Sequence, residues 1–179
     1  MRTLTTTRAQ EVTLVLLRTL IGWHFLYEGL MKLVWPVWTR AGVPLGRWSA
    51  AGYLRSAQGP LAEAFKNLAD SPWLPWVDVL MTWSLVVVGL LLILGLFTQA
   101  GCWAALALLT LFYLSWLPTR GVMEPGAEGN YLFVNKNLIE WTAVAVLLAF
   151  RTGRIAGLDL LLARERTGAP AREALEPAR

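Results

Sequence analysis

Two long apolar stretches, where charge is rarely found, contain ionisable side chains at regular spacing. His24, Glu28 and Lys32 follow one another at intervals of four residues, so they share one face of a helix. Lys136 and Glu140 repeat this interval later in the chain. Imidazole and carboxylate groups are the usual agents of proton transfer, and lysine carries a positive charge that attracts anions. These two segments are therefore the first candidates for chemistry.

Three more polar residues extend this set. Asn135 and Asn137 flank Lys136, and Asp78 lies near the start of another apolar stretch. A charged side chain at the centre of a bilayer costs about 2.5–3.5 kcal/mol on insertion scales, so its presence needs a reason. We predict that these residues line one polar pocket. The alternative is that they form ion pairs holding helices together, with Lys32 and Lys136 extending to the membrane surface.

Four apolar segments are long enough to carry these residues across a membrane, which takes about 20 residues. The predicted spans are 12–35, 76–97, 102–117 (extending to about 99–118) and 131–150. At 1.5 Å per residue, Glu28 and His24 lie about 10 and 16 Å from the outer end of their span, and Glu140 about 14 Å from that of its own. The sequence thus predicts an all-α, integral membrane four-helix bundle with its charges in one half.

The connections between spans differ in length. Residues 95–101 (GLFTQAG) leave room only for a tight helical hairpin. The connection 36–75 has about forty residues, too many for a structureless loop in a compact domain. Within it, residues 51–69 break at Gly59 and then place apolar side chains on one helical face. We predict an amphipathic surface helix in this long outer loop, capping the bundle.

The basic residues favour one orientation in the membrane. Eight arginines lie on the side of the two termini, against five basic residues on the other, and Arg151 and Arg154 adjoin a helix end. Because positively charged loops stay inside, both termini are expected in the cytoplasm of a bacterial or archaeal cell. Arg18, alone in the inner half of its span, is expected to reach the cytoplasmic interface. The membrane domain is predicted to cover 1–167, with a flexible tail at 168–179.

The composition argues against an ordinary soluble domain and against a nucleic-acid-binding protein. Of 179 residues, 56% are hydrophobic and 16% charged, whereas soluble domains have about 45–50% and about 25%. The net charge of +4 comes from residues at the ends of apolar blocks, which fits membrane topology better than nucleic acid binding. Cys102 alone forms neither a disulfide nor a CxxC pair. A metal site of His24, Glu28, Asp78 and Glu140 suits iron or manganese, but the two nearby lysines disfavour it.

Several short motifs along the chain resemble those of the DoxX/DoxD family of membrane proteins. The resemblance rests on Arg18, Gly22, Phe25, Gly29 and Lys32, on Gly95-Leu96-Phe97-Thr98, on Lys136-Asn137, and on Gly153-Arg154 with Leu158-Asp159. Taken in this order, the motifs cover most of residues 12–159. Two features depart from the family pattern. Gln99 stands where many relatives have arginine, and the outer loop is longer than in minimal members and more similar to the DoxD branch.

The resemblance implies a bundle of the kind associated with thiosulfate:quinone oxidoreductase, in which a DoxD-like membrane chain works with a second subunit. On this hypothesis Glu28 and Glu140 transfer protons and His24 hydrogen-bonds the quinone, which is the exchangeable electron acceptor. Lys32 and Lys136 would hold the small sulfur anion at the outer face. The remaining substrate-binding candidates are Asp78, Asn135 and Asn137.

Two other functions stay open. A non-catalytic subunit would hold a soluble redox partner at the outer face, a task that suits the long loop. Transport of protons or a small solute is disfavoured because discontinuous helices and inverted repeats are not recognisable. Close helix contacts at Gly22, Gly29, Gly89 and Gly95 would serve either one chain or a homo-oligomer. From the predicted spans and the resemblance, the expected partners are the lipid bilayer, quinone and a second subunit.

Overall fold

The computed structural model describes residues 6–34, 39–40, 43–44, 47–117, 130–131 and 133–167, and most of these residues are helical. In chain order the elements are α1 (Arg8–Val34), β1 (Thr39–Arg40), β2 (Val43–Pro44), α2 (Ala51–Arg55), α3 (Ala62–Ala69), α4 (Leu74–Leu94), α5 (Thr98–Ser115), β3 (Asn130–Tyr131), β4 (Val134–Asn135), α6 (Lys136–Ala149), a 3-10 turn (Thr152–Arg154) and α7 (Leu158–Thr167). The strands form two short antiparallel pairs, β1 with β2 and β3 with β4. The all-α prediction is confirmed, and the predicted tail lies outside the described residues.

The four long helices pack in a ring. α1 lies along α4, α4 turns back into α5, α5 packs on α6, and α6 returns to α1. Their shared core contains the fully buried side chains Leu92, Leu109, Val144 and Leu147. Of the four neighbouring pairs, α1 and α6 make the sparsest contact. The bundle therefore has one weakly packed seam, between α1 and α6.

Among the described residues, α4 and α5 are long and apolar enough to cross a membrane. α1 has 27 residues, but Arg18, Glu28 and Lys32 interrupt its apolar character. α6 has 14 residues and is about 21 Å long. The predicted start of the fourth span at 131 is wrong, because the β3–β4 pair takes up the residues before Lys136. Asn135 ends that pair and caps α6 instead.

The predicted tight hairpin between the second and third spans is confirmed. α4 ends at Leu94 and is capped by Gly95, whose φ of 62° is left-handed, and α5 begins three residues after this cap. Phe97 is also left-handed, at φ 45°, which is unfavourable for a residue with a side chain. The Asp159 carboxylate accepts the backbone N–H groups of Phe97 at 2.7 Å and Thr98 at 2.8 Å. α7 thus stabilises the start of α5 from across the turn.

Arg18 lies at this same end of the bundle, hereafter the α7 end. It is 2% exposed, and its Nη1 donates to the carbonyl oxygens of Thr152 at 3.0 Å and Ala156 at 2.8 Å. Arg18 is therefore buried among backbone carbonyls rather than exposed at a surface, and its level relative to a membrane stays a prediction. The Thr152 carbonyl also accepts the Ile155 N–H at 3.1 Å, so the end of the 3-10 turn and the guanidinium share this acceptor.

The opposite end of the bundle is covered by a capping layer, formed by α2 and α3. Phe65 and Leu68 of α3 pack on a small cluster that includes Leu54 of α2. The backbone N–H groups at 58 and 59 donate to the Ser115 carbonyl at 2.9 and 3.1 Å, fixing the break between the two helices. The predicted break and capping position are confirmed. Asp78 anchors the layer, because its Oδ1 accepts the Ala50 N–H at 2.7 Å.

We expect Asp78→Ala to loosen the capping layer. It leaves the N–H of buried Ala50 without its charged acceptor, a loss of about 1.5–3 kcal/mol. Asp70→Ala is the matched control, because it breaks an exposed pair with Arg55, worth about 0–1 kcal/mol. Limited proteolysis within 47–73 should accelerate in Asp78→Ala and stay near native in Asp70→Ala. Equal rates in both variants would contradict this role of Asp78.

Candidate functional site

A cavity of about 770 Å³ lies between the capping layer and the four long helices. Small-molecule sites commonly have volumes of about 300–1,000 Å³. Seven of the eight predicted site residues line it: His24, Glu28, Lys32, Asn135, Lys136, Asn137 and Glu140. All seven belong to α1 or to the start of α6 and its cap. The cavity therefore has one polar wall, as the shared depth of these residues predicted.

On α1 the predicted polar face is present, and two of its charges pair. Lys32 Nζ donates to Glu28 Oε2 at 2.8 Å. The Lys32 side chain is 16% exposed, and its Nζ lies 5.2 Å from the centre of the Trp48 ring. A cation over an aromatic face is attracted to it. Lys32 is thus held inside by Glu28 and Trp48 rather than extending to the surface.

The two halves of the polar wall meet at His24 and Glu140. His24 Nδ1 lies 2.7 Å from Glu140 Oε1, within hydrogen-bond distance, and this contact joins α1 to α6. The Glu140 side chain is 14% exposed. Which of the two groups donates in this contact depends on the imidazole tautomer. The pair is the part of the wall best suited to giving or taking a proton.

The start of α6 presents its polar residues in two ways. Asn135 is buried, and its Oδ1 accepts the Leu138 N–H at 3.0 Å, so it caps the helix while lining the cavity. Lys136 is exposed at the cavity rim. In the described part of the chain, no carboxylate pairs with Lys136. Its charge is therefore better placed than that of Lys32 to meet an anion arriving from outside.

Asp78 is the predicted site residue that the structure does not bring to the cavity wall. Its carboxylate turns to the Ala50 N–H and so positions the roof of the cavity. Within the described ranges, no group of three or more His, Cys, Asp or Glu side chains is arranged to hold a metal ion. Cys102 is fully buried in the core.

The wall opposite the charges consists of side chains that the sequence analysis did not single out. It includes Met81 and Ser84 of α4, Leu108 and Phe112 of α5, and Tyr53 of α2. The Tyr53 hydroxyl hydrogen-bonds Ser115 Oγ, and burial raises the pKa of Tyr53, which keeps the phenol protonated. Apolar periodicity marks α4 and α5 as helices, but it does not tell which of their faces lines a cavity.

Comparison with known proteins places the chain in one family. The DoxX family pattern matches residues 13–117, more than half of the chain, from α1 through α5. The matched region contains the α1 half of the polar wall and ends before the α6 half. No curated protein and no solved structure matches the chain. Together with the two membrane-capable helices, this match indicates a membrane protein. The chain belongs to the DoxX family.

Proposed function

We propose that the chain is the membrane subunit of a quinone-linked oxidoreductase and that its cavity binds the quinone ring. The observation that carries the proposal is the cavity's division into a wall that carries charges and a mainly apolar wall. A quinone is a flat apolar ring with a carbonyl oxygen on each of two opposite edges. Such a ring needs an apolar surface against its face and hydrogen-bonding groups at its edge.

The side chains fit these requirements in position and in chemistry. Phe112, Leu108 and Met81 provide the apolar surface. The His24–Glu140 pair faces the same space and can hold a carbonyl oxygen. Reduction of the quinone to quinol takes up two electrons and two protons. Glu140 and Glu28 are the groups that we assign to deliver the protons, with His24 as the hydrogen-bond partner of the ring.

The electrons come, in this proposal, from a small sulfur anion such as thiosulfate. Two thiosulfate ions lose two electrons as a sulfur–sulfur bond forms between them, which matches the two electrons that the quinone accepts. Lys136 at the rim makes the first contact with the anion, and Lys32 lies deeper. A second subunit completes the anion site. Asn137, beside Lys136, supplies a further hydrogen-bonding group.

We also propose an arrangement of the chain in the membrane. All four long helices span the bilayer, with both termini in the cytoplasm and the capping layer at the outer face of the cytoplasmic membrane. The level of Arg18 then marks the inner end of the bundle. α6 is short for a span, and the β3–β4 pair before it occupies the outer interface.

A scaffold function is the second candidate, and the capping layer favours it. α3 exposes Glu63 and Lys66, and an exposed Arg55–Asp70 pair lies beside it, so this surface is polar and accessible. A soluble redox partner would dock there. Transport is less well supported, because the packed core around Leu92 and Leu147 lies between the cavity and the α7 end.

The test is to purify the chain in lipid nanodiscs and measure the quinone that remains bound. We expect about one quinone per chain in the native protein. In Glu28→Gln/Glu140→Gln the bound quinone should fall by about 10–100-fold, because Gln at 140 removes the charge-assisted contact that orients His24, and one such hydrogen bond is worth about 1.5–3 kcal/mol. Glu63→Gln, an exposed carboxylate on α3, is the matched control and should retain the quinone.

Two results would contradict the proposal. Quinone retained equally by the double variant would remove Glu28 and Glu140 from the site. An intact native protein that binds no quinone would favour the scaffold function, and deletion of residues 51–69 should then abolish capture of the redox partner.

A further inference from the structure

A second, shallower pocket of about 340 Å³ lies on the outer surface of the seam between α1 and α6, and we name it the seam groove. Leu17, Leu20 and Ile21 of α1 form one side, and Ile139 and Ala143 of α6 form the other. These side chains are all apolar. Leu20 and Ile139 are 58% and 60% exposed, so the groove opens sideways, toward the lipid of a membrane.

The seam groove and the cavity share a wall. His24, Lys136 and Glu140 line both of them. The helices α1 and α6 otherwise contact each other sparsely, and the 2.7 Å contact between His24 and Glu140 closes the seam. The partition between cavity and groove is therefore a single layer of side chains at this level of the bundle.

We infer that the seam groove holds the apolar tail of the quinone whose ring occupies the cavity. This inference rests on the proposed function. In membrane quinones the tail is attached to a ring carbon next to a carbonyl carbon. If His24 and Glu140 hold that carbonyl oxygen, the tail must leave the cavity within a few ångströms of them, and the seam groove begins there.

Other features of the bundle favour this path. The capping layer covers the end of the cavity, so a long tail cannot leave there without lying in water. On the α4 side of α1, Gly22 and Gly89 bring the two helix backbones into direct contact and leave no gap. The α5–α6 side is tied by a hydrogen bond from Trp141 Nε1 to Thr110 Oγ1 at 3.1 Å. The remaining alternative is the α4–α5 side, where exposed Leu80 and Leu111 also line the cavity.

The test compares two probes in nanodiscs, a benzoquinone with a decyl chain and the same ring without a chain. Ala143→Phe fills the seam groove and should weaken binding of the decyl probe by at least about tenfold, a factor that corresponds to about 1.4 kcal/mol. Binding of the chainless ring should stay within about twofold of native, because it does not use the groove. Ala107→Phe, exposed on α5, is the matched control and should change neither affinity.

Each other result is decisive. If the chainless ring still binds and the decyl probe binds Ala143→Phe as tightly as it binds the native chain, the inference is overturned. Weakening of the decyl probe by Ala107→Phe to the same extent would show that the loss is not specific to the seam groove and would overturn the inference. If the chainless ring binds neither protein, the proposed function fails and the inference with it.

A second measurement on the native chain covers the case in which Ala143→Phe does not fold. A decyl benzoquinone with a photoreactive diazirine at the end of its chain should label peptides within 17–21 or 139–143. Labelling confined to α4 and α5 would overturn the assignment of the tail.

Discussion

Gly89→Ala is expected to destabilise the bundle by at least about 3 kcal/mol, the upper end of what overpacking a core costs. A methyl group on Gly89 would lie 2.5 Å from the Leu26 nitrogen and 2.7 Å from the Gly22 carbonyl oxygen. These are backbone atoms of α1, so no side-chain rotation relieves the clash. α1 and α4 would have to separate, which opens the core around Phe25 and Leu85.

Gly52→Ala is the matched control for Gly89→Ala. Gly52 lies in α2 with nothing within 4 Å of the added methyl group. Alanine is the better helix former, so this variant should be more stable by about 0.5–1 kcal/mol. Denaturant unfolding in detergent, followed by tryptophan fluorescence, measures both. Stability of Gly89→Ala within about 1 kcal/mol of native would contradict the direct backbone contact, since even moderate overpacking costs that much.

These glycines also decide a question that the sequence left open. Gly22, Gly29 and Gly89 could equally have served a contact between two chains. The structure uses all three between α1 and α4 of one chain, where a methyl group on Gly29 would lie 2.8 Å from the Val86 nitrogen. Small residues predict that helices approach closely but not which helices, because one pattern serves either partner.

The polar wall was predictable largely from helix geometry. An interval of four residues places Glu28 and Lys32 on one face, and the structure pairs them at 2.8 Å. The rise per residue of a helix placed His24 and Glu140 at similar depths from the outer ends of their predicted spans, and these two side chains meet. The first result depends on helix geometry alone, whereas the depth of Glu140 was counted from Tyr131, five residues before α6 begins.

Asp78 and the start of α6 were missed because both depend on irregular segments. Asp78 lies at the expected end of its helix, but its carboxylate binds the Ala50 N–H, 28 residues earlier. No periodicity encodes such a contact. Residues 131–135 are as apolar as a helix start, and the signal for the true boundary was Asn135, a favoured N-cap residue.

The family resemblance reports on architecture more than on chemistry. Several of the residues that carry it, Arg18, the hairpin from Gly95 to Thr98, Gly153 and Asp159, converge at the α7 end, far from the cavity. They fix how α1, α5 and α7 meet. The α6 half of the polar wall lies outside the matched residues 13–117. The proposed chemistry therefore depends on this chain's own side chains, and membership alone does not supply it.

Arg18→Met is expected to cost about 3–5 kcal/mol, as for removal of one partner from a buried charged network. The guanidinium binds the Thr152 and Ala156 carbonyl oxygens at 3.0 and 2.8 Å. It also interacts electrostatically with Asp159, which holds the first N–H groups of α5. Methionine fills a similar volume without charge, so the loss measures the polar contacts rather than a void.

The control for Arg18→Met is Arg154→Met, at the same end of the bundle but exposed. It should change the free energy of unfolding by less than about 0.5 kcal/mol, as surface substitutions usually do. The double variant Arg18→Met/Asp159→Asn should be less destabilised than the two single variants added together, because each charge is unfavourable without the other. Strict additivity would mean that Arg18 and Asp159 act independently. In that case Arg18 would act through its carbonyl contacts and Asp159 through the Phe97 and Thr98 N–H groups, as separate local contacts rather than one network.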